Sequence, residues 1–193
     1  YYTGLFPFGD GSSNNLSYTV ALSRNNTFTN PIFPLGGSEF VLSARFSLPY
    51  SLWNGVDYAN LGDLEKFQDD DGNPDPAKIE QEKFKWLEFY KIKFKGSWYT
   101  RLFDKLVLRT HTEFGFLGAF NNDRGVIPFD RFFLGGDGMS QYAMDGRETI
   151  SLRGYPNQSL SSQDGSTIYN RFSLELRYPV SYTHLTLPTN LCV

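Results

Sequence analysis

The feature that most constrains this fold is a series of five segments in which apolar and polar residues alternate with a period of two. Such alternation is typical of β-strands, because successive side chains point to opposite faces of a sheet. The segments exceed the length of about 5–6 residues that is usual for strands of soluble proteins. They fit the roughly 9–11 residues that a tilted strand needs to cross a bilayer. The apolar faces are formed, in chain order, by Leu16, Tyr18, Val20 and Leu22; by Phe40, Leu42, Ala44, Phe46 and Leu48; by Trp86, Tyr90, Ile92, Phe94 and Trp98; by Leu106, Leu108, Thr110, Thr112, Phe114 and Phe116; and by Ile168, Phe172, Leu174, Leu176 and Tyr178.

The opposite faces carry full charges at alternate positions, as Lys91, Lys93 and Lys95 do in the third segment. A soluble sandwich could also turn such a face to solvent, so alternation alone leaves that alternative open. An aromatic content of 17% suits membrane strands that are joined by polar loops. The formal net charge of −3 argues against a dedicated nucleic-acid binder. No run of about 18 apolar residues occurs, which excludes a transmembrane helix.

The connections between the segments are of two kinds. Residues 30–37 and 102–104 form short connections, whereas 50–83 and 119–166 are long and rich in Gly, Asp, Asn and Pro. Short turns at one end of a sheet and long loops at the other are the arrangement of outer-membrane barrels. We therefore expect the long connections to lie together at one end, on the outside of the cell.

Three constellations invite a chemical interpretation, and a structural role is favoured for each. The acidic stretch 69–75 lacks the spacing and the closing Glu of an EF-hand, which favours a solvated loop. The glycines of 135–138 do not complete a nucleotide-binding pattern. His111 lies between Arg109 and Glu113 on a charged face, where a hydrogen-bonded histidine of a barrel lumen is favoured over hydrolytic catalysis. We expect no catalytic residue, no metal site and no cofactor.

Both ends of the chain indicate a piece of a longer protein. It begins with two tyrosines and has neither an initiator Met nor a signal peptide, so we expect it to start inside a longer sequence. Residues 180–189 are identical to the translation of one frame of a transposase sequencing adapter. We therefore interpret 181–193 as a non-native tail and 1–180 as part of an outer-membrane β-barrel. This interpretation removes His184 and Cys192 from the set of functional candidates.

An ordered set of motifs carries a resemblance to a known family. Residues 128–136 read Pro-Phe-Asp-Arg-Phe-Phe-Leu-Gly-Gly, an Arg-Gly-Tyr triplet follows at 153–155, and a strand follows at 165–179. With the turn at 30–40, these motifs resemble the bacterial surface antigen family, the BamA type of outer-membrane assembly factor, over nearly all of residues 14–179. The resemblance implies an antiparallel transmembrane β-barrel of about sixteen strands. This chain would hold an incomplete part of it, about five strands with two long loops, from the eighth strand to the twelfth.

The resemblance also implies a site that anchors a loop. In the family, the Arg of the Arg-Gly-aromatic triplet folds into the lumen and pairs with acidic residues of the wall. Arg153 matches that position, and Glu175 matches the nearer acidic partner. The strand phase of the fifth segment also turns Glu175 to the charged face, so we expect a contact between Arg153 and Glu175, direct or through one water. Gly154 would allow a tight turn, and Tyr155 would pack against the lumen.

The function that the resemblance implies is the insertion and folding of β-barrel proteins in the outer membrane of a Gram-negative bacterium, without ATP or a cofactor. The implied partners are unfolded outer-membrane proteins, outer-membrane lipid and the accessory lipoproteins of the assembly complex, and no nucleic acid. A two-partner secretion transporter of the same family is one alternative, which the number of upstream repeat domains would distinguish. A passive porin is another, which conductance without insertion would indicate. We do not expect an enzyme.

Overall fold

The computed structural model describes residues 12–27, 33–69, 71–136, 148–162 and 164–179. Residues 181–193, interpreted above as a non-native tail, lie outside the described residues. Three short 3-10 helices and one α-helix occur between the second and third strands. The elements are β1 (Ser17–Thr27), β2 (Gly37–Ser47), the 3-10 helices Tyr50–Leu52, Leu61–Asp63 and Glu65–Phe67, α1 (Pro76–Phe84), β3 (Tyr90–Phe103), β4 (Leu106–Gly118), β5 (Phe132–Leu134), β6 (Glu148–Ile150) and β7 (Ile168–Arg177).

Five of the strands form one sheet in the order β1-β2-β3-β4-β7, and every neighbouring pair is antiparallel. This confirms the predicted all-β, antiparallel architecture and the predicted five strands. The strands contain 11, 11, 14, 13 and 10 residues, lengths that suit a tilted crossing of a bilayer. Over the described residues the sheet is open, with β1 and β7 as its edges, and it does not close into a barrel.

The register places the two kinds of connection at opposite ends of the sheet. Thr27 of β1 pairs with Gly37 of β2, and Gly37 pairs with Tyr99 near the end of β3. The short connections therefore leave from this end, and the 48–89 and 119–167 connections leave from the other. The predicted distribution of short and long connections is confirmed, and their orientation relative to the cell stays a prediction.

One face of the sheet is apolar and exposed, as the alternating pattern predicts. Apolar residues of neighbouring strands lie side by side on it, because Leu22 pairs with Leu42 and Leu42 pairs with Phe94. A continuous apolar surface of this kind is unfavourable in water and suits lipid. Its exposed members include Tyr18, Val20, Leu22, Phe46, Ile92, Phe114, Ile168, Phe172, Leu174 and Leu176. No helix within the described ranges is both long and apolar enough to span a membrane.

The third strand begins later than the pattern predicts. It starts at Tyr90 rather than near Lys85, and Trp86 lies ahead of it in an isolated parallel bridge with Asn14. The reason is that Glu88, just before the strand, forms a buried ion pair with Arg124 of the connection that follows β4. The long connections also contain α1 and the short parallel pair of β5 and β6, which the alternation does not predict.

Helix α1 begins at the end of the acidic 69–75 stretch. The side chain of Asp75 accepts hydrogen bonds from the backbone N of Ala77 at 2.9 Å and of Lys78 at 3.4 Å. Pro76 occupies the first helical turn, where its missing N–H has no cost. One residue of the stretch therefore caps a helix, and no cluster of three potential metal ligands occurs among the described residues, from which Asp70 is left out.

A small hydrophobic core lies on the other face of the sheet, at the end of the long connections. Its members come from β4, from β7 and from both long connections. The connections therefore fold back over the polar face of the sheet instead of extending away from it. The buried residues of this core are Phe84, Leu87, Phe89, Leu117, Ile127, Phe132, Ile150 and Tyr169.

Candidate functional site: the polar face and its folded-back loop

The polar face of the sheet carries oppositely charged residues in neighbouring strands. Lys95 of β3 lies opposite Glu113 of β4, which lies opposite Arg171 of β7. The ion pairs measure 3.8 Å for Lys95–Glu113 and 3.9 Å for Arg171–Glu113. Cross-strand pairs of opposite charge stabilise a sheet by about 0.2–1 kcal/mol each. This face is therefore a network of charges on the side that a closed barrel would turn to its lumen.

Lys91 is the centre of the contact between the polar face and the 119–167 connection. Its side chain is only 3% exposed. Its Nζ donates a hydrogen bond of 2.7 Å to the backbone O of Asp130, lies 2.7 Å from Glu148 Oε2 and lies 4.6 Å from the centroid of the Phe132 ring. A buried ammonium is costly unless it is paired and hydrogen-bonded. These contacts satisfy Lys91 only while the connection stays against the sheet.

Two further cations of the polar face flank Lys91. Arg45 Nη1 lies 3.4 Å from Asp130 Oδ1, and Lys93 Nζ lies 3.0 Å from Glu148 Oε1. Burial raises the pKa of Glu148, but the hydrogen bonds and charges of Lys91 and Lys93 outweigh it and hold that pKa below its ordinary value. The connection thus presents two carboxylates to three cations of the wall, an arrangement that we call the Lys91 anchor.

The close approach of the connection to the sheet depends on a glycine. Phe132 is fully buried, and its ring lies 4.6 Å from that of Tyr169 in an edge-to-face contact. Gly115 lies opposite Tyr169 in the register. A Cβ at position 115 would lie 2.1 Å from Tyr169 Cε1 and 2.8 Å from Phe132 Cζ. The missing side chain therefore makes room for the aromatic ring of the connection.

A second anchor joins the two long connections. Arg124 Nη1 lies 2.7 Å from Glu88 Oε2, and both side chains are almost completely buried. Glu88 also accepts hydrogen bonds from the backbone N and the Oγ of Ser51, at 2.9 Å and 2.7 Å. Arg124 donates further hydrogen bonds to the backbone carbonyls of Lys83 and Trp86. Because a buried pair needs such additional partners, Arg124 and Glu88 fix the two connections to each other.

The predicted partner of Arg153 is engaged elsewhere. Glu175 lies on the polar face, but its carboxylate pairs with Arg109 at 2.9 Å and with Arg177 at 2.8 Å. Arg109 lies directly opposite Glu175 in the register, so a cross-strand neighbour takes the carboxylate. No direct ion pair joins Glu175 to Arg153 in the described part of the chain, and a contact through one water stays a prediction.

The Arg-Gly-Tyr triplet forms a tight turn. Gly154 has φ +91°, in the left-handed region that favours glycine. Tyr155 is half-exposed, and its carbonyl accepts a hydrogen bond of 3.0 Å from Gly136 N. The packing of its ring against the lumen stays a prediction. Arg153 is exposed and lines a cavity of about 620 Å³ together with Arg171 of β7. The anchoring role of the triplet stays a prediction from the resemblance.

Both ring nitrogens of His111 have partners, as predicted for a histidine of the polar face. Nδ1 lies 2.8 Å from Ser97 Oγ, and Nε2 lies 3.0 Å from Glu113 Oε1. Arg109 also donates a hydrogen bond of 3.3 Å to Ser97 Oγ. A hydrolase would expose this hydroxyl to its substrate, whereas Ser97 is 2% exposed. The arrangement therefore acts as a hydrogen-bond network across the wall.

Sequence reasoning did not identify Lys91, Asp130 and Glu148 as an anchor. Part of the signal was present, because Lys91 belongs to the charged face of the third segment and Asp130 belongs to the 128–136 motif. The pairing itself was not visible, since no periodicity relates an acidic residue of a long connection to one position on a strand. The resemblance directed attention to Arg153 instead.

These features define the class of protein. The strands are antiparallel and long enough to span a bilayer, one face of the sheet is apolar and exposed, and a folded-back connection covers the polar face. These are the features of the wall of an outer-membrane β-barrel. The Omp85 superfamily domain matches residues 7–188, and the chain belongs to the Omp85 superfamily. The match extends into the residues interpreted as a tail, and that interpretation stays a prediction. No curated protein matches the chain. Members of this superfamily are outer-membrane proteins of Gram-negative bacteria or organelles, and they act in protein insertion or secretion.

Proposed function

We propose that this chain is part of the barrel of an outer-membrane assembly factor that inserts and folds other β-barrel proteins. The observation that carries the proposal is the Lys91 anchor, which holds a long connection against the polar face of the sheet. A passive porin needs an open polar lumen, whereas a connection fastened by ion pairs to the buried Lys91 and its neighbours occupies that space. The anchored connection therefore supports a barrel that works as a scaffold rather than as an open pore.

The physical route to insertion uses strand edges. In lipid, every backbone group must be paired, so an open edge is unstable until another strand covers it. A weakly closed seam therefore offers backbone donors and acceptors that template an incoming strand. The described sheet has its edges at β1 and β7, and we expect further strands to continue it on both sides. The work is done by strand pairing and lipid, without ATP or a cofactor, and the protein is not an enzyme.

The proposed partners follow from this route. Unfolded outer-membrane proteins supply the incoming strands, and outer-membrane lipid contacts the apolar face. Accessory lipoproteins of the assembly complex bind outside the barrel. Two-partner secretion remains the second candidate, because the Omp85 superfamily includes both activities.

Reconstitution of the full-length gene product tests the proposal. The protein is placed in lipid vesicles, an unfolded outer-membrane barrel is added, and folding is followed by the heat-modifiable mobility of the folded form on gels. Faster folding than in empty vesicles supports insertion. Transfer of an added secretion substrate across the membrane without its integration would assign secretion instead. Conductance without either activity would refute the proposal in favour of a porin.

The proposed location is the outer membrane of a Gram-negative bacterium, with the long connections outside. Val56 is an exposed residue of the 48–89 connection, and Lys105 is exposed in the short turn between β3 and β4. A cysteine at position 56 of the full-length protein should react with an impermeant thiol reagent on intact cells. A cysteine at 105 should react only after the outer membrane is breached, and the reverse order would contradict the orientation.

A further inference from the structure

A cavity of about 290 Å³ lies beside the second anchor, at the end of the sheet where the long connections meet. Much of its lining is aromatic. Trp53 and Trp86 are 69% and 43% exposed, so both side chains are accessible to a ligand. Large exposed aromatic surfaces are unfavourable in water and often mark binding sites. The lining residues are Tyr50, Trp53, Asn54, Tyr58, Glu82, Lys85, Trp86 and Arg124.

The deeper aromatic residues are held in place before any ligand binds. The Tyr58 ring is buried under the Arg124 guanidinium, which lies 4.8 Å from its centroid, and Asn54 Nδ2 donates to Tyr58 Oη at 2.5 Å. Tyr50 packs on Trp86 with their ring centroids 5.1 Å apart. A preorganised cavity of this kind loses little conformational entropy on binding.

Polar groups are available beside the indoles. Among the described residues, the side chains of Glu82 and Lys85 form no hydrogen bond or ion pair with a protein partner. Glu82 can accept two hydrogen bonds, and Lys85 can donate three. The cavity therefore combines flat apolar surfaces with unused donors and acceptors.

The charge of the cavity selects against ionic ligands. Glu82 and Lys85 have opposite charges, and Arg124 is neutralised by Glu88 at 2.7 Å. An anion would meet the Glu82 carboxylate. A quaternary ammonium, the usual ligand of an aromatic cage, would meet Lys85 and the guanidinium that already covers Tyr58. A neutral ligand that has both an apolar face and hydroxyl groups fits all of these residues.

We infer that this cavity binds one pyranose ring of a neutral saccharide. The C–H face of the sugar stacks on Trp53 or Trp86, and its hydroxyls donate to Glu82 and accept from Lys85. The same sugar could be presented by a free saccharide or by the headgroup of a glycolipid, since the recognised chemistry is identical. The inference concerns a site separate from the Lys91 anchor and does not depend on the proposed insertion activity.

The test uses the full-length protein in detergent. Neutral hexose and N-acetylhexosamine disaccharides are titrated while tryptophan fluorescence and saturation transfer from the protein to the sugar protons are measured. Inorganic phosphate and a trimethylammonium salt are titrated in parallel. We expect saturable binding of a disaccharide and no saturable binding of either ion. Tighter binding of phosphate or of trimethylammonium than of every sugar would overturn the inference.

Substitutions then assign the binding to this cavity. Trp53→Ala and Glu82→Ala should each weaken saccharide binding by about tenfold, which corresponds to about 1.4 kcal/mol. Trp98→Ala is the matched tryptophan control, because Trp98 is 41% exposed but does not line the cavity. Glu80→Ala is the matched helix control, because Glu80 lies on α1 outside the lining. Heat-modifiable mobility confirms that each variant is folded, and Trp53→Phe replaces Trp53→Ala if it is not.

Two further outcomes are decisive. Binding that neither Trp53→Ala nor Glu82→Ala weakens would place the sugar elsewhere and overturn the inference. Strong quenching of Trp53 by brominated lipid would show that the aromatic residues form a membrane-interface belt, which would also overturn it. Vesicles that contain a glycolipid with the same sugar identify the source. If these vesicles compete with the free saccharide for the cavity, the ligand is assigned as a lipid headgroup. If the free saccharide binds and the vesicles do not compete with it, the ligand is assigned as a soluble glycan.

Discussion

Replacing Lys91 by Met tests whether the Lys91 anchor holds the 119–167 connection against the wall. Methionine keeps much of the length of the side chain but removes the ammonium. Breaking a buried pair by removing one partner costs about 3–5 kcal/mol. In the Lys91→Met variant, Glu148 still has Lys93 as an ion-pair partner, and Asp130 still has Arg45. The side chains of Glu148 and Asp130 are also 26% and 21% exposed. We therefore expect a cost of about 2–3 kcal/mol, which raises the population of the released connection roughly 30- to 150-fold.

Hydrogen exchange of the full-length protein in detergent measures that population. Phe132 is fully buried against the wall, so peptides that cover 128–136 gain access to solvent when the connection is released. Lys95→Met is the matched control on the same strand and face. Lys95 is 51% exposed, and its Nζ lies 3.8 Å from Glu113 Oε1, so its ion pair is longer and more exposed than that of Lys91. Unchanged exchange in Lys91→Met, or an equal increase in Lys95→Met, would refute the anchor.

Three further predictions concern the same face. Gly115→Ala should destabilise the docked connection by about 1–3 kcal/mol, because the added Cβ overpacks against Tyr169. Hydrogen exchange of the 128–136 peptides should become faster, and exchange at the wild-type rate would contradict the close approach. Because the pKa of Glu148 is held below its ordinary 4.5, its stabilising contribution is present above that value and is lost as the pH falls through the lowered pKa. Acidification should therefore release the connection from the wall, and this effect should be weaker in Glu148→Gln. Arg109→Ala and Glu175→Ala should destabilise the full-length protein less than additively, measured by denaturant unfolding, because both remove one ion pair; additive losses would show that the pair contributes nothing.

The strands could be predicted from the sequence because lipid imposes one rule along their whole length. A slip of one residue would turn every apolar side chain of a strand to the wrong face, so the alternation records the register of β1, β2, β4 and β7 almost to their ends. The alternation of apolar and polar residues is required only where the chain belongs to the sheet. At Leu87, Glu88 and Phe89 the apolar and polar positions are exchanged relative to the rest of the segment. All three residues are buried, and the chain joins the sheet only at Tyr90.

The anchors and the saccharide cavity could not be predicted in the same way. Phe132 can approach the wall only because Gly115 lies opposite Tyr169, and these three residues are far apart in the sequence. Motif position selected Arg153, and motif position together with strand phase selected Glu175. Neither signal reveals that Arg109 is the cross-strand neighbour of Glu175 and pairs with it. Contacts of long connections depend on tertiary packing, which leaves no local periodicity.

The Lys91 anchor also has a consequence for the ions near the wall. Asp130 and Glu148 are the acidic partners of Arg45, Lys91 and Lys93 among the described residues. When the connection leaves the wall, it takes both carboxylates with it and leaves three cations facing water. A polar channel lined by one sign of charge concentrates the opposite ion. The part of the wall around Lys91 should therefore attract anions during the moments when the connection is released, and raised salt should lengthen those moments by screening the ion pairs.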